Sequence, residues 1–183
     1  MNTETQALFA DLLGADATAR NRAFMDLIKA TDVPVDWAYE VWDKLLGLTK
    51  SKDNHLRAIA TQLLCNLAKS DPKHRMLKDF DTVMAVTRDS MFVTARHTLQ
   101  NVWKVAVPGA KQQQIVVDRL AEWFAGCTVH KNCTLIRYDI TVGLRNLYDV
   151  ARDELVKVKA LALIETEPDL KYRKKYAGAW KKA

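Results

Sequence analysis

The sequence predicts an all-α fold, because apolar residues recur at spacings of three and four in nearly every segment between helix breakers. No segment shows the sustained period-two alternation that is typical of a strand. The chain has 183 residues, 49% of them hydrophobic, which is enough to bury one core. No Gly-, Pro- or Ser-rich linker divides it, so we expect a single helical-repeat domain over residues 1–183.

Residues that cap or break helices predict ten of them along the chain. Gly14 ends the first helix, Pro34 opens the third and Asp53 caps the fourth. Asp89 caps the sixth helix, which Pro108 stops. The predicted helices cover residues 3–13, 17–30, 34–49, 54–69, 72–87, 90–106, 110–125, 131–149, 151–165 and 169–180.

A short motif recurs in alternate helices. Each copy has a large apolar residue, then Asn or Asp two positions later, then another apolar residue, and the steps are 40, 35 and 45 residues. This period is what stacked helical hairpins require, since each pair covers the apolar face of its neighbour. The recurring amides are expected to bond backbone groups of the adjoining turn, and they are Asn66, Asn101 and Asn146.

The second helices of these pairs resemble those of HEAT-like α-solenoids. The resemblance rests on segments such as DNHLRAIA at residues 53–60 and DSMFVTAR at residues 89–96, and it covers roughly residues 15–150. It implies a short right-handed solenoid of about four to five stacked hairpins, of HEAT or armadillo type. In such a stack the second helices line a concave face. No motif identifies a subfamily.

Steps of four along the second helices select a set of positions. The basic residues at these positions form the basic stripe, and they are Arg57, Lys69, Arg96, Lys104, Arg137 and Arg145. Only one acid, Asp149, occurs at the same set of positions, so we expect the stripe to hold an anionic partner. In the alternative interpretation the arginines bridge neighbouring repeats and are neutralised by acids, namely Asp53, Asp89, Asp139 or Asp153.

The net charge of +6 comes from the C-terminal end. Residues 171–183 contain six basic residues and no acid, whereas the rest of the chain has 22 of each sign. Two interpretations of residues 169–183 remain open. Either an aromatic face caps the end of the stack while the lysines stay solvated, or the aromatics stack on bases and the lysines meet phosphates. The side chains concerned are Tyr172, Lys174, Lys175, Tyr176 and Trp180.

Cys127, His130 and Cys133 are three potential soft metal ligands within seven residues. Structural zinc sites usually take four ligands, and no second cluster completes this set, so we expect no metal. Free thiols are expected at these two cysteines and at Cys65. No apolar run is long enough to span a membrane and the N-terminus lacks a leader pattern, which together predict a cytoplasmic protein without a membrane partner.

Signatures of nucleophiles, phosphate-binding loops and metal-spaced carboxylates are missing, so the sequence predicts no catalytic residue and no cofactor. The first hypothesis is a non-catalytic binding or scaffold module for a macromolecular partner, a protein or peptide before a nucleic acid. The alternative is nucleic-acid binding or DNA repair, because some HEAT-like solenoids are alkylpurine DNA glycosylases. For that chemistry the chain offers the residue types Trp103, Trp123, Tyr138 and Asp139. The oligomeric state is not predicted.

Overall fold

A computed structural model describes residues 1–181, and the regular secondary structure in this part of the chain is entirely helical, with no strand. Ten α-helices occur in it, which confirms the all-α class. They are α1 (Thr3–Leu13), α2 (Ala17–Ala30), α3 (Ala38–Leu48), α4 (Asn54–Leu67), α5 (Arg75–Val86), α6 (Phe92–Leu99), α7 (Ala110–Gly126), α8 (Cys133–Ala151), α9 (Glu154–Glu165) and α10 (Leu170–Gly178). Short 3₁₀ helices lie at Ala68–Ser70, Val102–Ala106 and Cys127–Val129.

Aspartate side chains begin several of these helices. Asp16 accepts bonds from the backbone of Thr18 and Ala19 at the start of α2. The carboxylates before α4, α9 and α10 each accept one backbone N–H in the same way, which satisfies a donor that the helix leaves unpaired. These caps explain why the predicted starts of these helices agree with the observed ones to within a few residues.

Several helices start later than the sequence predicts, and at α3 and α5 specific contacts explain the difference. The backbone N–H of Val35 donates to the Ser70 hydroxyl at 2.9 Å, which holds the segment after Pro34 against the neighbouring turn, and α3 begins only at Ala38. Before α5, His74 adopts a left-handed conformation with φ 53°. The buried Asp71 carboxylate accepts backbone N–H groups from the first residues of α5. This helix therefore begins at Arg75 rather than at residue 72.

The helices pack as pairs that are consecutive in the chain. Contacts join α1 to α2, α3 to α4, α5 to α6, α7 to α8 and α9 to α10. The second helix of each pair also contacts the second helix of the next, from α2 through α4, α6 and α8 to α10. One hydrophobic core runs through these contacts from Phe9 in α1 to Trp180 after α10. None of the described helices combines the length and apolar character that crossing a membrane requires.

The prediction of free thiols is wrong for two of the three cysteines. Cys127 and Cys133 form a disulfide, because the 3₁₀ turn after α7 brings their Cα atoms to 5.2 Å. Only Cys65 keeps a free thiol, which is fully buried in α4. Burial raises the pKa of this thiol to about 12.

Candidate functional site

Two arginines of the basic stripe pair with aspartates of the next helical pair. Arg57 binds both oxygens of Asp89, with N–O distances of 2.6 and 2.8 Å. Arg96 binds Asp139 in the same bidentate way, at 2.7 and 2.9 Å. A third pair joins Arg20 to the aspartate before α4 at 3.1 Å. We call these three pairs the Arg–Asp ladder, and its members are Arg20–Asp53, Arg57–Asp89 and Arg96–Asp139.

The ladder is the arrangement that the alternative interpretation of the stripe described. The Arg57 hydrogen bond is the main cause that lowers the pKa of Asp89, and Asp89 in turn raises the pKa of Arg57. Asp139 raises the pKa of Arg96 by the same kind of bond. The bidentate bonds therefore compensate much of the positive charge of Arg57 and Arg96 within the fold.

Sequence reasoning missed Arg20, although a signal for it exists. An aspartate cap followed four residues later by arginine occurs at Asp16–Arg20, Asp53–Arg57 and Asp169–Arg173. In each case the arginine also donates to the carbonyl six residues before it, at 2.8 Å, and these carbonyls belong to Gly14, Ser51 and Glu167. In these three helices the arginine anchors the turn before its own helix, whereas Arg75, at the same spacing from Asp71, pairs with Asp43 instead.

Two further arginines of the stripe hold the C-terminal segment. Arg137 is 8% exposed, donates to the Phe124 carbonyl at 3.0 Å and pairs with the buried Glu167 at 2.8 Å. Arg145 binds Asp149 one turn further along α8, and it also donates to the Ala179 carbonyl at 3.1 Å. Because its guanidinium is buried, Arg137 is not placed to contact a partner in this structure.

The lysines of the stripe are placed differently, because neither makes an ion pair with a described carboxylate. The ammonium of Lys69 donates to the Asp32 carbonyl at 2.9 Å, and that of Lys104 donates to the Asn66 side-chain oxygen at 2.7 Å. Burial is the main cause that lowers the pKa of Lys104; the charge of Asp32 opposes this shift and that of Lys69 adds to it. The two ammonium groups come from successive helical pairs.

Two of the recurring amides bond the preceding second helix, but only Asn66 does so through a backbone group, as expected; Asn101 bonds the Gln62 side chain and the His97 carbonyl of α6. Asn66 is fully buried and donates to the Ile28 carbonyl at 3.2 Å and to the Thr31 hydroxyl at 3.1 Å, both in the preceding pair. Asn101 donates to Gln62 of α4 at 3.2 Å. These amides join one second helix to the next, which makes their role structural.

The aromatics of α10 pack against α8. Tyr176 is fully buried and donates to the Thr134 carbonyl at 2.9 Å, and Trp180 is 6% exposed and donates to the Thr141 carbonyl at 3.3 Å. Half-buried Tyr172 stacks on Tyr176. These contacts agree with the capping interpretation, since buried rings cannot stack on bases. The charged side chains on the outside of α10 remain exposed, namely Lys171, Lys174 and Lys175, while Lys182 lies outside the described residues.

The residue types of the glycosylase hypothesis do not form an open site. Asp139 is 3% exposed, and Arg96 and Gln100 occupy its carboxylate. Trp103 lies beside Gln100, the residue that bonds Asp139, because its indole N–H donates to the Gln100 carbonyl at 3.1 Å. Trp123 is buried on α7, with the Arg88 guanidinium 4.2 Å from its ring centre. Tyr138 lies under the Lys175 ammonium, 4.7 Å from its ring centre.

The segment with Cys127, His130 and Cys133 has no spare sulfur ligand, because the disulfide occupies both cysteines. The His130 ring nitrogen Nδ1 accepts the backbone N–H of Asn132 at 3.1 Å. Residues 1–181 contain no cluster of three His, Cys, Asp or Glu side chains that could hold a metal ion.

Comparisons with known proteins assign no family to the chain. No protein-family model matches the sequence, and no curated protein matches it significantly.

Proposed function

We propose that the chain is a short HEAT-like solenoid that acts as a non-catalytic binding module for a protein or peptide. The observation that carries this proposal is the continuous contact of α2, α4, α6, α8 and α10, in which the Arg–Asp ladder ties α2, α4, α6 and α8 together. A row of helices fixed in this way offers a broad, rigid surface, and broad surfaces suit macromolecular partners better than small molecules.

The charge on this surface favours an acidic partner. Because the arginines of the ladder are compensated, Lys69 and Lys104 supply the remaining positive charge of the stripe. Burial lowers the pKa of Lys104 although Asp32 opposes this shift, and a carboxylate of the partner beside this lysine would stabilise its charged form. We therefore propose these two lysines, with the half-buried edge of Arg96, as the contacts for an acidic segment of the partner.

The test is fluorescence anisotropy with two labelled probes, a decaglutamate peptide and single-stranded decathymidylate, over a series of salt concentrations. We expect the peptide to bind the wild type and to bind Lys69→Gln/Lys104→Gln about tenfold more weakly. The control is Lys44→Gln, an exposed lysine on α3, which should bind like the wild type.

The outcomes separate the two functions. Binding of decathymidylate alone, with an affinity that falls steeply with salt, would replace this proposal by nucleic-acid binding. Absence of binding by both probes, or peptide binding that the double variant retains, would show that the lysines are not a binding site. Thermal melting of each variant shows whether a loss of binding is a loss of fold.

A further inference from the structure

The loop between α7 and α8 is held firmly, yet it exposes an aliphatic side chain. The disulfide joins its two ends, and the backbone N–H of His130 donates to the Cys127 carbonyl at 2.7 Å. Val129, inside this loop, is 97% exposed. A loop that is fixed in this way presents Val129 to solvent in a defined position, with little conformational entropy left to lose on binding.

Val129 belongs to a group of exposed apolar side chains beside a cluster of rings. The His130 ring centre lies 6.0 Å from that of Phe92 and 6.2 Å from that of Trp123. Phe92 is flanked in the chain by Met91, 51% exposed, and Val93, 64% exposed. We call Met91, Val93, Val129, Phe92 and His130 the Val129 patch. The ring contact between Phe92 and His130 links the two segments that carry these exposed side chains, and clustered exposed apolar residues are typical of interaction sites.

Positive charge lies next to the patch. The Arg88 guanidinium covers the Trp123 ring and forms no ion pair with a described carboxylate. Burial is the main cause that lowers the pKa of Arg88; the charge of Arg119 adds to this shift and that of Glu122 opposes it. A carboxylate of a partner placed beside Arg88 would stabilise its charged form. Arg119 already pairs with Asp81 and Glu122. Lys131, which follows His130 in the chain, is exposed and forms no ion pair with a described carboxylate.

We infer that the Val129 patch docks a short protein segment in which a carboxylate stands beside large apolar side chains. The carboxylate would pair with Arg88, and the apolar side chains would cover Val129, Met91 and Val93. The charge beside the patch selects an acidic segment over a basic one. A nucleic acid fits less well, since the exposed groups are aliphatic and the Trp123 face, on which a base would stack, is covered.

This surface is distinct from Lys69 and Lys104, so the two proposals can fail separately. The experiment is selection of random peptides displayed on phage against the full-length protein, followed by anisotropy of the enriched peptides. We expect acidic residues beside Leu, Phe or Met in the enriched sequences. Arg88→Glu and Val129→Asp should each weaken these peptides about tenfold, while Lys69→Gln/Lys104→Gln should leave them unchanged.

A matched control is Lys111→Glu, which reverses an exposed charge at the far end of α7 and should have no effect on these peptides. Because Val129 is almost fully exposed, Val129→Asp tests the patch even if Arg88→Glu unfolds the protein. No enriched peptide, enrichment of basic peptides, or peptides that ignore both substitutions would overturn the inference. Binding of decathymidylate or self-association that Val129→Asp abolishes would overturn it too, in favour of a nucleic acid or a second copy of the chain.

Discussion

The Arg57–Asp89 pair of the ladder predicts a large loss of stability when its charge is removed. The two side chains are 15% and 7% exposed, and two charge-assisted hydrogen bonds join them. In Asp89→Asn the guanidinium loses its counter-charge and one of its two bonds to residue 89, and it keeps its bonds to the Ser51 and Lys52 carbonyls. Breaking a buried pair costs about 3–5 kcal/mol, and because the carbonyls and the residual exposure offset part of this, we expect a loss of about 2–3 kcal/mol.

Urea unfolding followed by circular dichroism measures this loss. For a chain of this size it corresponds to a fall in Tm of about 5–10 °C. Asparagine keeps an acceptor for the Met91 N–H that Asp89 caps at 2.8 Å, so the comparison isolates the ion pair. In a double-mutant cycle with Arg57→Met the coupling energy should reach about 2 kcal/mol. A loss below about 0.5 kcal/mol in Asp89→Asn, or additive effects of the two substitutions, would refute the structural role of the ladder.

The same pair gives a pH dependence with a defined sign. Because the folded state lowers the pKa of Asp89, its carboxylate contributes stability above the unfolded-state pKa of about 3.9. That contribution disappears as the pH falls through the lower folded-state pKa. The difference in free energy of unfolding between wild type and Asp89→Asn should therefore be constant at neutral pH and shrink below about pH 4.

Three other substitutions or treatments test the fold. Trp180→Ala should lower the free energy of unfolding by about 3 kcal/mol because the ring is buried against α8, whereas Lys174→Ala on the exposed side of α10 should change it by less than about 0.5 kcal/mol. Equal effects would contradict the capping role. Cys127→Ser should lower the free energy of unfolding by about 2 kcal/mol, the value expected for a disulfide that closes a short loop. Reduction of the bond to Cys133 should lower it by the same amount. Unchanged stability would argue against the disulfide. Since burial raises the pKa of Cys65 to about 12, iodoacetamide at pH 8 should label this thiol only in urea, and labelling of the native protein would show that the residue is accessible.

The sequence predicted the helices well because their ends are determined locally. Asp16 and Gly14 set the bounds of α1 and α2 through bonds within a few residues. The start of α5 was predicted three residues too early because the left-handed conformation of His74 and the reach of Asp71 back to the helix depend on tertiary packing.

The candidate surface could be predicted only in part. Period and spacing located the stripe, but the choice between free and paired arginines depends on which helix faces which, and spacing alone does not determine that. The burial of Arg137 and the formation of the disulfide likewise depend on how α8 packs against α7. The Val129 patch has no signature in the sequence, since its two segments lie almost 40 residues apart in the chain.

The geometry of the ladder also bears on how such a chain can gain or lose length. Each rung takes its arginine from one helical pair and its aspartate from the next, so adjacent rungs have the same polarity. Excising one whole unit, residues 53–88, would remove Asp53 together with Arg57 and bring Arg20 to Asp89. No charge of the ladder would be left without a partner. As far as the ladder is concerned, the fold could therefore lose or gain such a segment without an unpaired arginine or aspartate.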